Sequence, residues 1–159
     1  MGAKGEVLAT QFEAKAKDAA AFLETLSEAD WQKVTAAEKW PVGVTAHHLA
    51  GSYDRVPDIA KGLAAGQSFG NFTRGMLDQM NAQHAKDFAN CTKAETIKMH
   101  RDGMAKAAGV IRGFSDAEFA KSGVLFTDAP PMSVEQLLTL ALVNHTDEHI
   151  GSIKKTVGK

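Results

Sequence analysis

The chain has 159 residues, of which 44% are hydrophobic and 23% are charged, a composition typical of one globular domain and not of a disordered chain. We therefore expect residues 1–159 to form a single domain. The formal net charge is −1, and the lack of a basic excess argues against nucleic acid as a partner. Cys91 is the only cysteine, which excludes an intrachain disulfide and a cysteine-rich zinc site.

The sequence contains no apolar run of the length that crosses a membrane. Its first residues, MGAKGEVLATQFEAKAKDAAAF, carry charges throughout and do not resemble a signal peptide. We expect a cytoplasmic protein without a membrane partner.

Alanine-rich and leucine-rich stretches predict an all-α fold, because their apolar residues recur at three- and four-residue spacing. The first helix is predicted over about residues 6–26. The second begins near residues 42–45, continues past Leu63 and should bend at Pro57, which removes one backbone donor. A loop over residues 66–71 then precedes a third helix that follows Thr73.

The second half of the chain is also predicted to form helices joined by loops. Thr92 and Glu95 have the spacing of a capping box and predict the start of a helix after the break at Asn90-Cys91. A loop is predicted over residues 123–131, with some extended structure at 124–126. Ser133 and Gln136 then open a last helix that should end near Lys155.

One short pattern occurs twice in the sequence. The segment LSEADW at residues 26–31 resembles FSDAEF at residues 114–119, and each lies between a long helix and a later helix that carries histidines. Two helical hairpins packed as a four-helix bundle would explain the repetition. The alternative is a chance recurrence of a common helix-start signal.

The last helix contains two histidines one turn apart. At 100° per residue, His145 and His149 fall in the middle of the apolar stripe that includes Val134 and Leu138, whereas Ile150 points elsewhere. Two imidazoles at this spacing can bind one metal ion. The alternative is a pair of core histidines that are satisfied by hydrogen bonds, and the cost of burying two polar rings favours some partner.

A third ligand is expected from the second helix, which contains adjacent histidines. His48 lies beside the apolar face of Leu49, whereas His47 lies about 100° further round and is expected to point outward. His48 is therefore the candidate ligand, the alternative being a boundary histidine bonded to a carboxylate.

Other polar residues are expected near this site. His84 shares a helix face with Leu77 and Phe88, and could be a fourth ligand, a general acid–base group or a buried structural histidine. Asn81 lies on the same side and could orient a bound water or substrate. Arg101 is expected to pair with a carboxylate such as Glu148. Four methionines are expected to fill the core: Met76, Met80, Met99 and Met104.

These residues carry a resemblance to a known family. The segment WPVGVTAHHLA, with Trp40 eight residues before His48, and the closing segment NHTDEH resemble the DinB-like (YfiT-like) superfamily of metalloenzymes. The resemblance implies an all-α four-helix bundle that is often dimeric. It implies that His48, His145 and His149 hold a divalent metal, with nickel and zinc the usual metals. The His47-His48 doublet and His84 depart from the common family pattern.

The resemblance also implies a range of activities, because some family members are thiol-dependent transferases or isomerases. We therefore expect a metal-dependent enzyme, a homodimer with a small-molecule substrate, in which a low-molecular-weight thiol could serve as cosubstrate. His84 is the candidate for general acid–base catalysis and Asn81 the candidate for binding the ligand. The alternative is a non-catalytic helical-bundle binding or stress-response protein with a structural metal or none. A fourth position closed by His84 or a carboxylate would favour that alternative.

Overall fold

The computed structural model describes residues 2–159 and confirms the all-α prediction. The last helix is continuous through a π-helical turn at Thr139–Asn144 that joins the segments Val134–Leu138 and His145–Val157. The helices are α1 (Ala3–Glu24), α2 (Glu28–Gln32), α3 (Val42–Ala64), α4 (Arg74–Asp87), α5 (Lys93–Gly113), α6 (Asp116–Phe119), α7 (Val134–Leu138) and α8 (His145–Val157). No helix within residues 2–159 is long and apolar enough to cross a membrane.

Four long elements form the bundle: α1, α3, α5 and the helix composed of α7, the π-helical turn and α8. Helix α1 packs against α5 and α8, and α3 packs against the same two neighbours from the other side. The centre is filled by large apolar residues that are fully buried, among them Phe12, Leu49, Tyr53, Ile111 and Leu142. The four-helix bundle prediction is thus confirmed.

The repeated Ser-acid segments form two short helices with the same cap. In α2, Ser27 Oγ accepts from the Asp30 backbone N–H and the Asp30 carboxylate accepts from the Ser27 N–H. Ser115 and Glu118 make the same reciprocal pair in α6. Each short helix follows the end of one long helix, α2 after α1 and α6 after α5.

Some boundaries differ from the predictions. The first helix spans Ala3–Glu24, earlier than expected at both ends, whereas α3 begins at Val42, includes Pro57 and continues past Leu63 as expected. The extended structure lies just outside the predicted positions, because β1 (Ser122–Gly123) pairs antiparallel with β2 (Met132–Ser133) at the two ends of the loop.

Helix α3 is buried on nearly every side, contrary to the prediction of a single apolar face. It packs against α5 and α8 along its length, and α2 and α4 cover further sides. His47, expected to point outward, is therefore buried at 7% exposure. His47 does point about 100° away from His48 around α3, as predicted. The side of α3 that was expected to face solvent is instead covered by α4, whose His84 contacts His47.

The π-helical turn changes the register of the last helix. Before it, Val134 and Leu138 face the core, and after it the buried residues are Thr146, Ile150 and Ile153. An uninterrupted α-helix would have buried His145 and His149 in that stripe and turned Ile150 away. The extra residue of the π turn moves both histidines to the edge of the stripe, so the prediction that they lie at its centre was wrong.

Candidate metal centre

The bundle brings three of the predicted residues together. His48 from α3 meets His145 and His149 from α8, with one ligand atom from each ring lying within 4.8 Å of the others. The ring centroids of His48 are 5.2 Å from His145 and 5.1 Å from His149. The Nε2 atoms of His145 and His149 are only 2.8 Å apart. Three imidazoles from two helices therefore converge on one point.

A carboxylate that the sequence analysis missed orients one of these rings. Glu38 Oε1 lies 2.8 Å from His149 Nδ1, and the other carboxylate oxygen accepts a hydrogen bond of 2.6 Å from Ser152 Oγ. The contact directs the His149 ring proton to Nδ1, which leaves the Nε2 lone pair facing His145. Glu38 and His149 side chains are only 10% and 13% exposed.

A tight turn places Glu38 at the site. Thr35 and Trp40 are joined by backbone and side-chain hydrogen bonds, and Val34 forms an isolated antiparallel bridge with Pro41. Lys39 has φ of 64°, a left-handed conformation that reverses the chain directly after Glu38. The same turn brings the Trp40 ring edge-on to His48, at 5.3 Å between centroids. No helical periodicity signals this turn, which is why Glu38 was not predicted.

The charge state of the site suits a cation. Burial, and then the neighbouring histidines, lower the pKa of His48 to about 2, and the same causes lower the pKa of His145 to about 3. Both rings are therefore neutral at pH 7, as metal ligation requires. Burial alone would raise the pKa of Glu38, but hydrogen bonds from Ser152 and His149 outweigh it and keep the carboxylate ionised.

His47 and His84 form a separate pair beside this centre. His47 Nδ1 lies 2.8 Å from His84 Nε2, and Phe88 stacks on the His47 ring at 4.1 Å. The His84 ring is 5.7 Å from that of His48, but His84 is not one of the three converging residues. Burial lowers the pKa of His84 to about 4, so its ring is neutral at pH 7.

Asn81 lies half-buried on α4, one turn before His84. Its predicted part in ligand binding stays a prediction, as does the acid–base role of His84.

Two other predictions near the site were wrong. Arg101 is bound to a carboxylate, but that carboxylate belongs to Glu24 and not to Glu148. Met76 and Met80 are exposed on α4, which contributes no buried residue to the core. The apolar spacing of α4 suggested a bundle helix, whereas the structure places it outside the four-helix core.

The residues present fit a divalent metal. His48 and His145 each have a buried Nδ1 without a hydrogen-bond partner within residues 2–159, so neither ring is held by a full set of protein hydrogen bonds. Three imidazole nitrogen donors with a carboxylate behind one of them form the arrangement that zinc and similar ions prefer. These donors are borderline-soft, which disfavours magnesium and calcium.

With this geometry established, comparison with known proteins decides the family. The model of the DinB superfamily matches residues 11–153. The chain belongs to the DinB superfamily. No curated protein is similar enough to match it.

Among solved structures, the DinB-like chain resembles YfiT from Bacillus subtilis, with a TM-score of 0.71 and 18% sequence identity. The likeness covers 98% of this chain and 86% of that one. YfiT is described as a probable metal-dependent hydrolase with an unusual four-helix bundle topology. At this identity the likeness establishes the shared fold.

Proposed function

We propose that this protein is a metal-dependent enzyme in which His48, His145 and His149 bind one divalent ion, with nickel or zinc the expected metals. The observation that carries the proposal is the convergence of three ligand atoms within 4.8 Å. A cation held by three neutral imidazoles keeps its charge and lowers the pKa of a water or thiol that binds it, so the chemistry supplied is activation of a nucleophile.

The chain's own groups favour a nucleophile that comes from outside. Burial raises the pKa of the Cys91 thiol, and the Cys91 carbonyl accepts a hydrogen bond from Trp31 Nε1 on the α2 side of the bundle. A thiol with a raised pKa is a poor nucleophile at neutral pH. A small thiol or a water molecule is therefore the expected attacking group, which supports a transferase, isomerase or hydrolase.

The remaining side chains have positioning roles in this proposal. Glu38 holds the His149 ring in one tautomer, and Ser152 holds Glu38. His84 is neutral at pH 7 and is our candidate to accept a proton near His48, while Asn81 is our candidate to orient the substrate. Dimerisation, a cytoplasmic location and a thiol cosubstrate stay predictions.

The rival function is a binding protein with a structural metal. A structural site has four protein ligands, whereas a catalytic site keeps one position open. Within residues 2–159, the groups that converge are three histidines; Glu38 is turned to His149 Nδ1, and His84 Nε2 is bonded to His47. Neither His84 nor the carboxylate of Glu38 therefore fills the fourth coordination position, and an open position favours a catalytic metal over a structural one.

A cobalt-loaded protein tests whether the position is open. We expect 2-mercaptoethanol to produce a thiolate-to-cobalt absorption band, and expect both the band and any metal-dependent thiol transfer or ester hydrolysis to disappear in His149→Ala. Stoichiometric cobalt that no thiol or azide can reach would instead identify a closed structural site.

A further inference from the structure

Arg55 on α3 differs from the other arginines of the chain. Arg101 and Arg112 are each bound to carboxylates of α1, and Arg74 lies over the ring of Phe126 at 5.5 Å. Within residues 2–159, Arg55 makes neither an ion pair nor a contact with an aromatic ring. Its side chain is exposed, and an arginine that no carboxylate neutralises is free to bind an anionic ligand.

The Arg55 side chain folds back along α3 in the direction of the turn that carries His48. A methyl group placed on Gly51 would lie 3.1 Å from Arg55 Nη1 and 3.8 Å from its Cζ. The guanidinium therefore lies over the preceding turn of the helix, and the next turn in that direction carries His47 and His48. The absence of a side chain at Gly51 leaves the room that this path needs.

The electrostatics agree with this placement. The positive charge of Arg55 contributes to lowering the pKa of His48, His145 and His84, after the larger effect of burial. Burial lowers the pKa of Arg55 itself, against the opposing effect of Asp54. Asp54 is bound to Lys106, while Arg55 is exposed, so a ligand can reach the guanidinium.

Resting on the metal-dependent function proposed above, we propose that Arg55 is a substrate-binding residue that holds the carboxylate of a small molecule whose reacting end faces His48, His145 and His149. A guanidinium binds a carboxylate through two parallel hydrogen bonds and so fixes its orientation as well as its charge. A single arginine offers one positive charge, which matches a carboxylate better than a doubly charged phosphate. The substrate class is thus a small carboxylic acid, or a thiol that carries a carboxylate.

Matched pairs of thiols test the proposal on zinc-loaded protein. The probes are mercaptoacetate, 3-mercaptopropionate and 4-mercaptobutyrate, each compared with the mercapto-alcohol of the same length by calorimetry. Since both members of a pair bring a thiol on a chain of the same length, the ratio of their affinities reports the contribution of the carboxylate, whether it binds Arg55 or chelates the zinc. We expect at least one acid to bind about tenfold more tightly than its alcohol.

Two variants and one control decide the assignment. Arg55→Gln should bring that ratio to about one while the protein still binds zinc, Arg55→Lys should keep part of it, and Arg74→Gln should leave it unchanged. An unchanged ratio in Arg55→Gln, or a parent ratio near one at every length, overturns the role of Arg55 and leaves the metal site standing. A parent that binds no zinc, or zinc but neither thiol, overturns the proposed function and with it this inference.

Discussion

Glu38 and His149 are joined by a contact of 2.8 Å across 111 residues of chain. One residue comes from an irregular turn and the other from the last helix of the bundle. The contact links α8, which supplies His145 and His149, to the turn that leads into α3, which supplies His48. The three histidines are therefore positioned both by the packing of α3 against α8 and by the hydrogen bond from His149 to Glu38.

Glu38→Gln should weaken metal binding by about 10- to 100-fold, because the carboxylate that orients His149 and increases the basicity of its ring is lost. The measurement is a zinc titration in competition with a chelating dye. Glu148→Gln is the matched control, since that exposed carboxylate adjoins His149 in sequence and should have little effect. Equal zinc affinity in the parent and Glu38→Gln would contradict a positioning role.

His47→Ala should leave metal affinity almost unchanged but loosen α4. The variant removes the hydrogen bond to His84 and the stacking on Phe88, which together are worth about 1–2 kcal/mol. Amides of α4 should exchange with solvent faster, as measured by hydrogen exchange with mass spectrometry. Met80→Ala, on the exposed side of α4, should leave exchange as in the parent, and loss of zinc from His47→Ala would show that His47 is a ligand.

Deleting Leu140 tests the π-helical turn. Leu140 is exposed and lies within Thr139–Asn144, so its removal should close the turn into regular α-helix while α7 and α8 keep their packing. We expect the variant to bind one zinc per chain, as measured by metal analysis. Deleting Thr146 is the control, because it rotates His149 by about 100° relative to His145 and should abolish binding.

The metal-free protein should lose stability as the pH falls below 6.5. The pKa of His48 is lowered to about 2, and those of His84 and His100 to about 4. Between pH 6.5 and about 5 the unfolded chain therefore takes up protons that the folded chain does not. Each such histidine lowers the free energy of unfolding by about 1.4 kcal/mol per pH unit once the unfolded ring is protonated.

Urea titrations in EDTA at pH 7, 6 and 5 measure this effect. His100 is fully buried and bonded to the Ala46 carbonyl, and His100→Asn should reduce the slope by about one proton. Stability that is constant or rises toward pH 5 would contradict the buried, neutral state of these histidines.

Much of the fold follows from local signals in the sequence. Helix starts at Thr92 and Ser133 were predicted because a side-chain oxygen caps a backbone N–H three residues on, and the structure contains both caps. The same helical spacing led to His48, His145 and His149, which the structure brings together.

What was missed depends on tertiary packing. The His47 side chain was predicted to face solvent, because the periodicity of α3 alone does not indicate that α4 packs against that side. The pattern of apolar residues does not indicate the π-helical turn. Ile150 was therefore predicted to point away from the core, whereas the structure buries it there. Glu38 reaches His149 through a turn whose path depends on one left-handed residue, Lys39.

The most direct test is the metal content of untagged protein after incubation with zinc or nickel and removal of free ions. The parent and His47→Ala should each retain about one ion per chain, whereas His48→Ala, His145→Ala and His149→Ala should each retain almost none while staying helical. A full ion in any one of those three variants would contradict the site, and His84 would be the first residue to examine in its place.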